Sequence, residues 1–176
     1  AYDSCRLISL NLKHLVKNPF SPKAKFDFNK LRQTASAGMR LSDNLVELEI
    51  EKLKLIIEKA DTSDEKALWS RLLTACEAGR RTGLGTHGLA DALARLNLRY
   101  DSEEALPIIE KIYETIRNAA YEESVYLAQE RGSFPAFDWG AGTGADEGGG
   151  VAFKWGAGRR AGYRGIAREP GGGASG

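Results

Sequence analysis

Cysteine is scarce in this sequence. The 176 residues include two, Cys5 and Cys76, too few for a disulfide-stapled scaffold. Histidine is equally rare. His14 and His87 stand far apart, with no cysteine or second histidine at ligand spacing from either, so no zinc site is legible. Long apolar runs are missing as well. Nothing approaches the roughly 18 consecutive apolar residues that mark a membrane-spanning helix, and no basic segment leads into an apolar one as in a secretory signal. An excess of one charge is also lacking: 25 Lys+Arg face 24 Asp+Glu, for a net charge of +1. That balance argues against a general electrostatic binder of nucleic acid. The expected setting is the cytoplasm, with neither membrane nor nucleic acid as partner.

Hydrophobic residues make up 42% of the chain, enough for a core. Glycine divides the sequence. Residues 140–176 hold 14 of the 20 glycines, and the first 139 residues hold only Gly38, Gly79, Gly83, Gly85, Gly88 and Gly132. The Gly/Ala/Arg-rich tail has little apolar periodicity and cannot bury enough surface to offset chain entropy. The expected division is therefore a foldable segment, 1–139, and a tail, 140–176. The first residue is Ala1 rather than Met, as in a piece of a longer polypeptide.

Within the foldable segment, Cys5 to Leu12 alternates and predicts a strand with Ile8, Leu10 and Leu12 on its buried face. The Asn18-Pro19-Phe20-Ser21-Pro22 stretch breaks it, and a loop is expected to about Asp27. Asn29 is the expected N-cap of a helix over roughly 29–59, with an apolar stripe of Leu31, Ala35, Gly38, Leu41, Leu45 and Leu48 that Leu53, Ile56 and Ile57 extend. Thr62-Ser63-Asp64 predicts the cap of a second helix running to about Ala78, with Leu68, Leu72, Leu73 and Cys76 on its apolar side. Residues 79–88 read as a glycine-punctuated connection. A helix is expected over 89–97, and another from the acidic start Asp101-Ser102-Glu103-Glu104 to about Arg131, stopped by Gly132. One strand cannot form a sheet, so further strands are needed elsewhere.

Several features bear on chemistry. Gly83-Leu84-Gly85-Thr86-His87-Gly88 fits G-x-G-x-x-G, but a dinucleotide-binding turn follows a buried apolar strand, and Cys76 to Thr82 does not read as one. Close backbone packing and a tight turn explain the glycines better. The pair Arg80-Arg81 suits a phosphate clamp or, more ordinarily, an ion-pair site. Cys76 lies in an apolar stripe and reads as a small buried hydrophobe. Cys5 stands at the head of a strand. No pair of carboxylates stands out as general acid and base.

The stretches AYDSCRLISLNL, NPFSPKAKFDFNK, GRRTGLGTHGLADALARLNLRYDSEEA and LAQERGSFPAFDW, in unbroken order over residues 1–139, resemble the ribonucleotide reductase catalytic chain. They look most like its adenosylcobalamin-dependent, class II type. The resemblance implies an α/β fold, a fragment of a ten-stranded barrel that in this piece is mostly helical. It implies reduction of ribonucleotides, here diphosphates, by a thiyl-radical mechanism with adenosylcobalamin as cofactor, that is, a ribonucleoside-diphosphate reductase. Cys5 matches one of the family's two redox-active cysteines. The second cysteine, the radical-bearing Asn-x-Cys-x-Glu motif and a Pro-Thr-x-Ser phosphate segment are not in this sequence, so the fragment alone is expected to be inactive. Implied partners are the ribonucleotide substrate, a thioredoxin-type or glutaredoxin-type reductant, nucleotide effectors and, at full length, a second copy in a homodimer. After Trp139 the family pattern stops, which suggests a frame-shifted or chimeric junction or a flexible linker. The alternatives are the large subunit of a class I reductase and a small helical interaction module using the helix over 29–59.

Overall fold

The structure is a computed structural model and describes residues 4–137. The expectations for Trp139 and for the tail 140–176 lie outside the described residues. The expected strand is present as β1, Arg6–Asn11. It runs into a 3-10 turn, Leu12–Leu15, and a small antiparallel hairpin of β2, Val16–Lys17, and β3, Lys25–Phe26. The region expected as pure loop therefore ends in a strand. Asn18 and Phe20, with φ of 48° and 60°, turn the chain between the two.

Helix α1 covers Phe28–Lys59. Its cap is Asp27 and not Asn29: the Asp27 side chain accepts from the Lys30 backbone N–H at 3.0 Å. A cap must stand just outside the helix to reach that donor, and Asn29 already lies in the first turn. Helix α2, Ser63–Gly79, is capped as expected by Thr62, which accepts from the Glu65 N–H. It ends at Arg80 in the left-handed conformation, φ 41°.

The expected connection over 79–88 is instead a strand, β4, Thr82–His87. It pairs in parallel with β1, from Arg6 opposite Thr82 to Asn11 opposite His87. The partner that β1 needs lies within the chain, reached through the α1–α2 crossover that a parallel pair requires. Strand propensity does not predict it because Gly83 and Gly85 are poor strand formers. Helix α3, Leu89–Arg95, a 3-10 turn, Glu103–Ala105, and α4, Leu106–Arg131, complete the described residues. Gly132 ends α4 with φ 85°, as expected. The architecture is mostly helical α/β with two two-stranded sheets. The described residues contain no closed barrel.

Two apolar clusters hold these elements. In one, Leu10 and Leu12 pack with Leu31 and Ala35 of α1, Ala92 of α3, and Ile112, Ile116 and Ala119 of α4. In the other, Val46, Ile50 and Leu53 of α1 enclose Cys76 of α2. Each large side chain fully buried here contributes about 1.5–3 kcal/mol. Gly38 marks where α1 crosses the sheet. A methyl group there would lie 3.0 Å from Leu84 Cδ1 and 3.6 Å from Leu10 Cδ2.

The expected α1 stripe holds at its start and again at buried Leu53, and fails between them. Leu31, Ala35 and Gly38 are buried, but Leu41, Leu45 and Leu48 are exposed and Ser42, Asp43 and Val46 are buried instead. The buried line is offset by one residue. Polar groups occupy it because each finds a partner, as burial requires. Ser42 Oγ donates to the Gly38 carbonyl at 3.0 Å. Asp43 accepts from Arg80 at 2.8 Å and also pairs with Arg131.

Candidate active site on the open face of the parallel sheet

Side chains of a strand alternate between its two faces. In β1 and β4 the even-numbered residues turn to the helices: Leu10 packs on α1 and α4, and Thr86 Oγ1 meets the Tyr113 hydroxyl at 3.0 Å. The odd-numbered residues form the other face. Leu7 is 79% exposed, and Ser9, Gly85 and His87 are exposed with it. Cys5, one residue before β1, is a free, exposed thiol. Its Sγ lies beside Gly83, 3.2 Å from where a methyl group on that glycine would stand. The Leu7 and Cys5 side chains lie over Gly83, while the backbone at Gly85 is uncovered and open to close approach by a ligand.

The residues flanking Cys5 point to the helix side and are fastened there. Ser4 Oγ donates to Glu49 Oε1 at 2.9 Å, and Arg6 Nε donates to Glu49 Oε2 at 2.5 Å. The Arg6 fork also reaches the Ser4 carbonyl at 3.1 Å, the Arg81 carbonyl at 3.4 Å and Cys76 Sγ at 2.7 Å. Arg6 is only 8% exposed, and a buried guanidinium needs such partners. At the opposite end of the sheet, Ser9 Oγ and His87 Nδ1 share a hydrogen bond of 2.8 Å across the strands. Next to them Asn11 Oδ1 is buried and makes no hydrogen bond.

The other residues singled out from sequence fall elsewhere. Cys76 is 2% exposed inside the α1–α2 cluster, as expected, and on the side of the sheet opposite Cys5. His14 is exposed in the first 3-10 turn. Arg80 is held by Asp43 and Glu47 and is an ion-pair residue. Arg81 gives its backbone carbonyl to Arg6. Gly83 and Gly85 lie inside β4 and not in a turn. Only Gly88, with φ 73° ahead of α3, occupies a tight strand-to-helix turn. The phosphate-binding geometry, a glycine loop after a strand, is therefore not formed by this motif. Sequence reasoning missed Arg6, Glu49, Ser9 and His87. The alternation of Gly83, Gly85 and His87 along one face was the available signal for the last. Nothing local links Glu49 to Arg6, which lies 43 residues before it.

No group of three His, Cys, Asp or Glu side chains able to hold a metal ion occurs among the described residues. None of their helices is long and apolar enough to cross a membrane. A groove of about 360 Å³ at the α1–α2 corner is lined by Lys52, Leu55, Ile56, Lys59, Ala60 and Glu65. It is open and charged at its rim, carries no cobalt ligand and does not include Cys5. These residues do not fit a corrin, and none of the described residues is assigned to cobalamin.

Parallel strands backed by helices on one face, with a thiol on the other, are the layout of a strand pair from an α/β catalytic domain. Residues 1–161 match the sequence model of the ribonucleotide reductase barrel domain, and the chain belongs to that family. Over 136 residues it is 32% identical to the vitamin B12-dependent ribonucleoside-diphosphate reductase of Mycobacterium tuberculosis, an alignment covering 77% of this chain and 17% of the relative. The enzyme of the same name from Thermoplasma acidophilum is 32% identical over 139 residues, covering 77% and 15%. The ribonucleoside-diphosphate reductase large subunit of Vaccinia virus is 29% identical over 135 residues, again 77% and 15%. The chain thus spans about one sixth of the length of the curated relatives it matches.

Proposed function

We propose that this chain is the part of a ribonucleoside-diphosphate reductase that carries one of its two reducing thiols, Cys5. The observation that carries this reading is the placement of Cys5: a free thiol at the head of a parallel strand, exposed on the face of the sheet that the helices leave open. The net step replaces the ribose 2′ hydroxyl by hydrogen. The C–O bond breaks, the hydroxyl leaves as water with one thiol hydrogen, carbon gains the other, and the two thiols close to a disulfide. Cys5 supplies one sulfur. The second comes from a residue outside the described sheet, because Cys76 is buried on the opposite side and bonded to Arg6. A strand backed by two packed helices holds a thiol more rigidly than a loop does. Gly85 leaves room for the sugar against the backbone.

Adenosylcobalamin would supply the radical that starts the reaction; the likeness to the vitamin B12-dependent reductases of Mycobacterium and Thermoplasma supports it. The reductant is a thioredoxin-type or glutaredoxin-type dithiol, nucleotide effectors act on the complete enzyme, and the full-length chain is a homodimer. A class I large subunit is the second reading, supported by the likeness to the viral large subunits. The boundary after Trp139 is proposed from composition. Translating the coding DNA in its other two frames tests whether residues 140–176 follow a reading-frame shift, and two frames without family-like sequence overturn that shift.

The test is expression of the longest reading frame that includes this segment. Reduction of a ribonucleoside diphosphate that depends on adenosylcobalamin, and is lost with Cys5→Ser, supports the proposal. A requirement for a separate subunit in place of cobalamin selects the second reading. Undiminished turnover by Cys5→Ser sinks the assignment of the thiol.

A further inference from the structure

We infer that Glu49 is a positioning residue for the Cys5 thiol, acting through the two residues that flank it; its catalytic purpose rests on the reading of Cys5 as a reducing thiol. Each oxygen of the one carboxylate takes one neighbour: Oε1 accepts from Ser4 Oγ at 2.9 Å and Oε2 from Arg6 Nε at 2.5 Å. Residues 4 and 6 share the helix-side face, so the carboxylate spans Cys5 from behind while the thiol faces forward. A reacting group needs placement within about 0.5 Å of its productive position. One side chain of α1 meets that need at the point where β1 begins.

The remaining arms make the anchor a junction. Arg6 Nη1 bonds the Ser4 and Arg81 carbonyls, which fixes the residue before Cys5 and the residue before β4. Arg6 Nη2 donates to Cys76 Sγ at 2.7 Å, which adds α2. With the Arg6 side chain 7% exposed against 35% for Glu49, the guanidinium is the desolvated partner. Removing the carboxylate leaves that buried charge short of its counter-ion, which strongly favours rearrangement of the segment.

The experiment labels the 1–176 chain at Cys5 with a methanethiosulfonate nitroxide, the site confirmed by peptide mass. Cys76 is shielded by burial. The wild-type electron paramagnetic resonance spectrum is expected to show a dominant immobilised component. In Glu49→Ala a mobile component should take over and the correlation time should fall several-fold. Ser4→Ala, which removes one arm, should give an intermediate line shape, and Glu49→Gln should recover part of the immobilised signal. Circular dichroism on the same samples reports the fold. If Glu49→Ala unfolds, the exposed Ser4→Ala variant decides the matter. A mobile label in the wild type, or an unchanged line shape in a folded Glu49→Ala or Ser4→Ala chain, overturns the inference. An active Cys5→Ser reductase with the line shapes as expected overturns the reducing role of the thiol and leaves the anchor standing.

Discussion

Cys5 lies against Gly83: a methyl group on that glycine would stand 3.2 Å from Cys5 Sγ and 2.6 Å from Leu7 Cδ2. Both contacted atoms are ends of exposed side chains, so both can swing aside. Gly83 has no left-handed φ, and a methyl group there also restricts the unfolded chain. Gly83→Ala is therefore expected to change stability by less than about 1 kcal/mol. Its effect should fall on the thiol, whose reaction with iodoacetamide slows several-fold as the methyl group crowds it. Alkylation kinetics with a parallel melting curve check this, and an unchanged rate places the thiol away from Gly83.

Gly88, from the same glycine motif, behaves oppositely. Its φ is 73°, and a methyl group there would lie 3.1 Å from Asn11 Oδ1, an atom already buried without a hydrogen bond. The left-handed conformation alone costs a residue with a Cβ about 1–2 kcal/mol. Gly88→Ala should therefore destabilise the chain by at least that amount, seen as a lower urea midpoint. A midpoint equal to wild type refutes the left-handed turn.

These two glycines also show what the sequence made legible. Alternation in Ile8, Leu10 and Leu12 exposed β1 because apolar periodicity is a local signal. Thr62 and Gly132 marked helix ends through equally local chemistry. β4 was hidden because its stability comes from its partner strand and from Leu84 against Gly38, not from its own propensity. The middle of α1 was misread because Ser42 and Asp43 are buried through bonds to Gly38, Arg80 and Arg131, the last two distant in sequence. Cys5 was visible through family resemblance. Its anchor was not, because Glu49 reaches Arg6 only after α1 has folded back across the sheet.

The same offset leaves Leu41 at 53%, Leu48 at 52% and Leu55 at 45% exposure along α1. Apolar side chains grouped in this way mark a surface meant to be covered. The 1–176 chain is expected to bind an apolar-surface dye and to self-associate. Leu41→Gln with Leu48→Gln should lower dye fluorescence and association while leaving the melting midpoint near wild type, since little buried area is lost. A monomeric, dye-silent wild type with a cooperative melt instead favours a self-sufficient helical module.

Acid should loosen the α1–α4 contact. Arg40 donates to both oxygens of Glu130 at 2.8 Å and to Glu123 at 2.6 Å. The bond from Arg40 holds the Glu130 carboxyl below its ordinary value of 4.5, and Arg40 itself is shifted upward, first by Glu130 and then by Glu123. At the α1 cap, the bond from Lys17 and then the Lys30 N–H hold Asp27 below its ordinary 3.8. A carboxyl depressed in the folded state is protonated more readily in the unfolded chain. Its stabilisation is complete above the ordinary value and is lost as pH falls through the depressed one. Stability should therefore be insensitive to these groups near pH 5 and above, and should decline below about pH 4.5. Both pairs are solvent-accessible, so salt should shrink the effect. Glu130→Gln removes one contributor and should flatten the acid limb without shifting its onset to higher pH. Urea midpoints measured from neutral to acid pH, at low and high salt, test this. A midpoint that rises on acidification would reverse the sign of the linkage and exclude these carboxylates as its source.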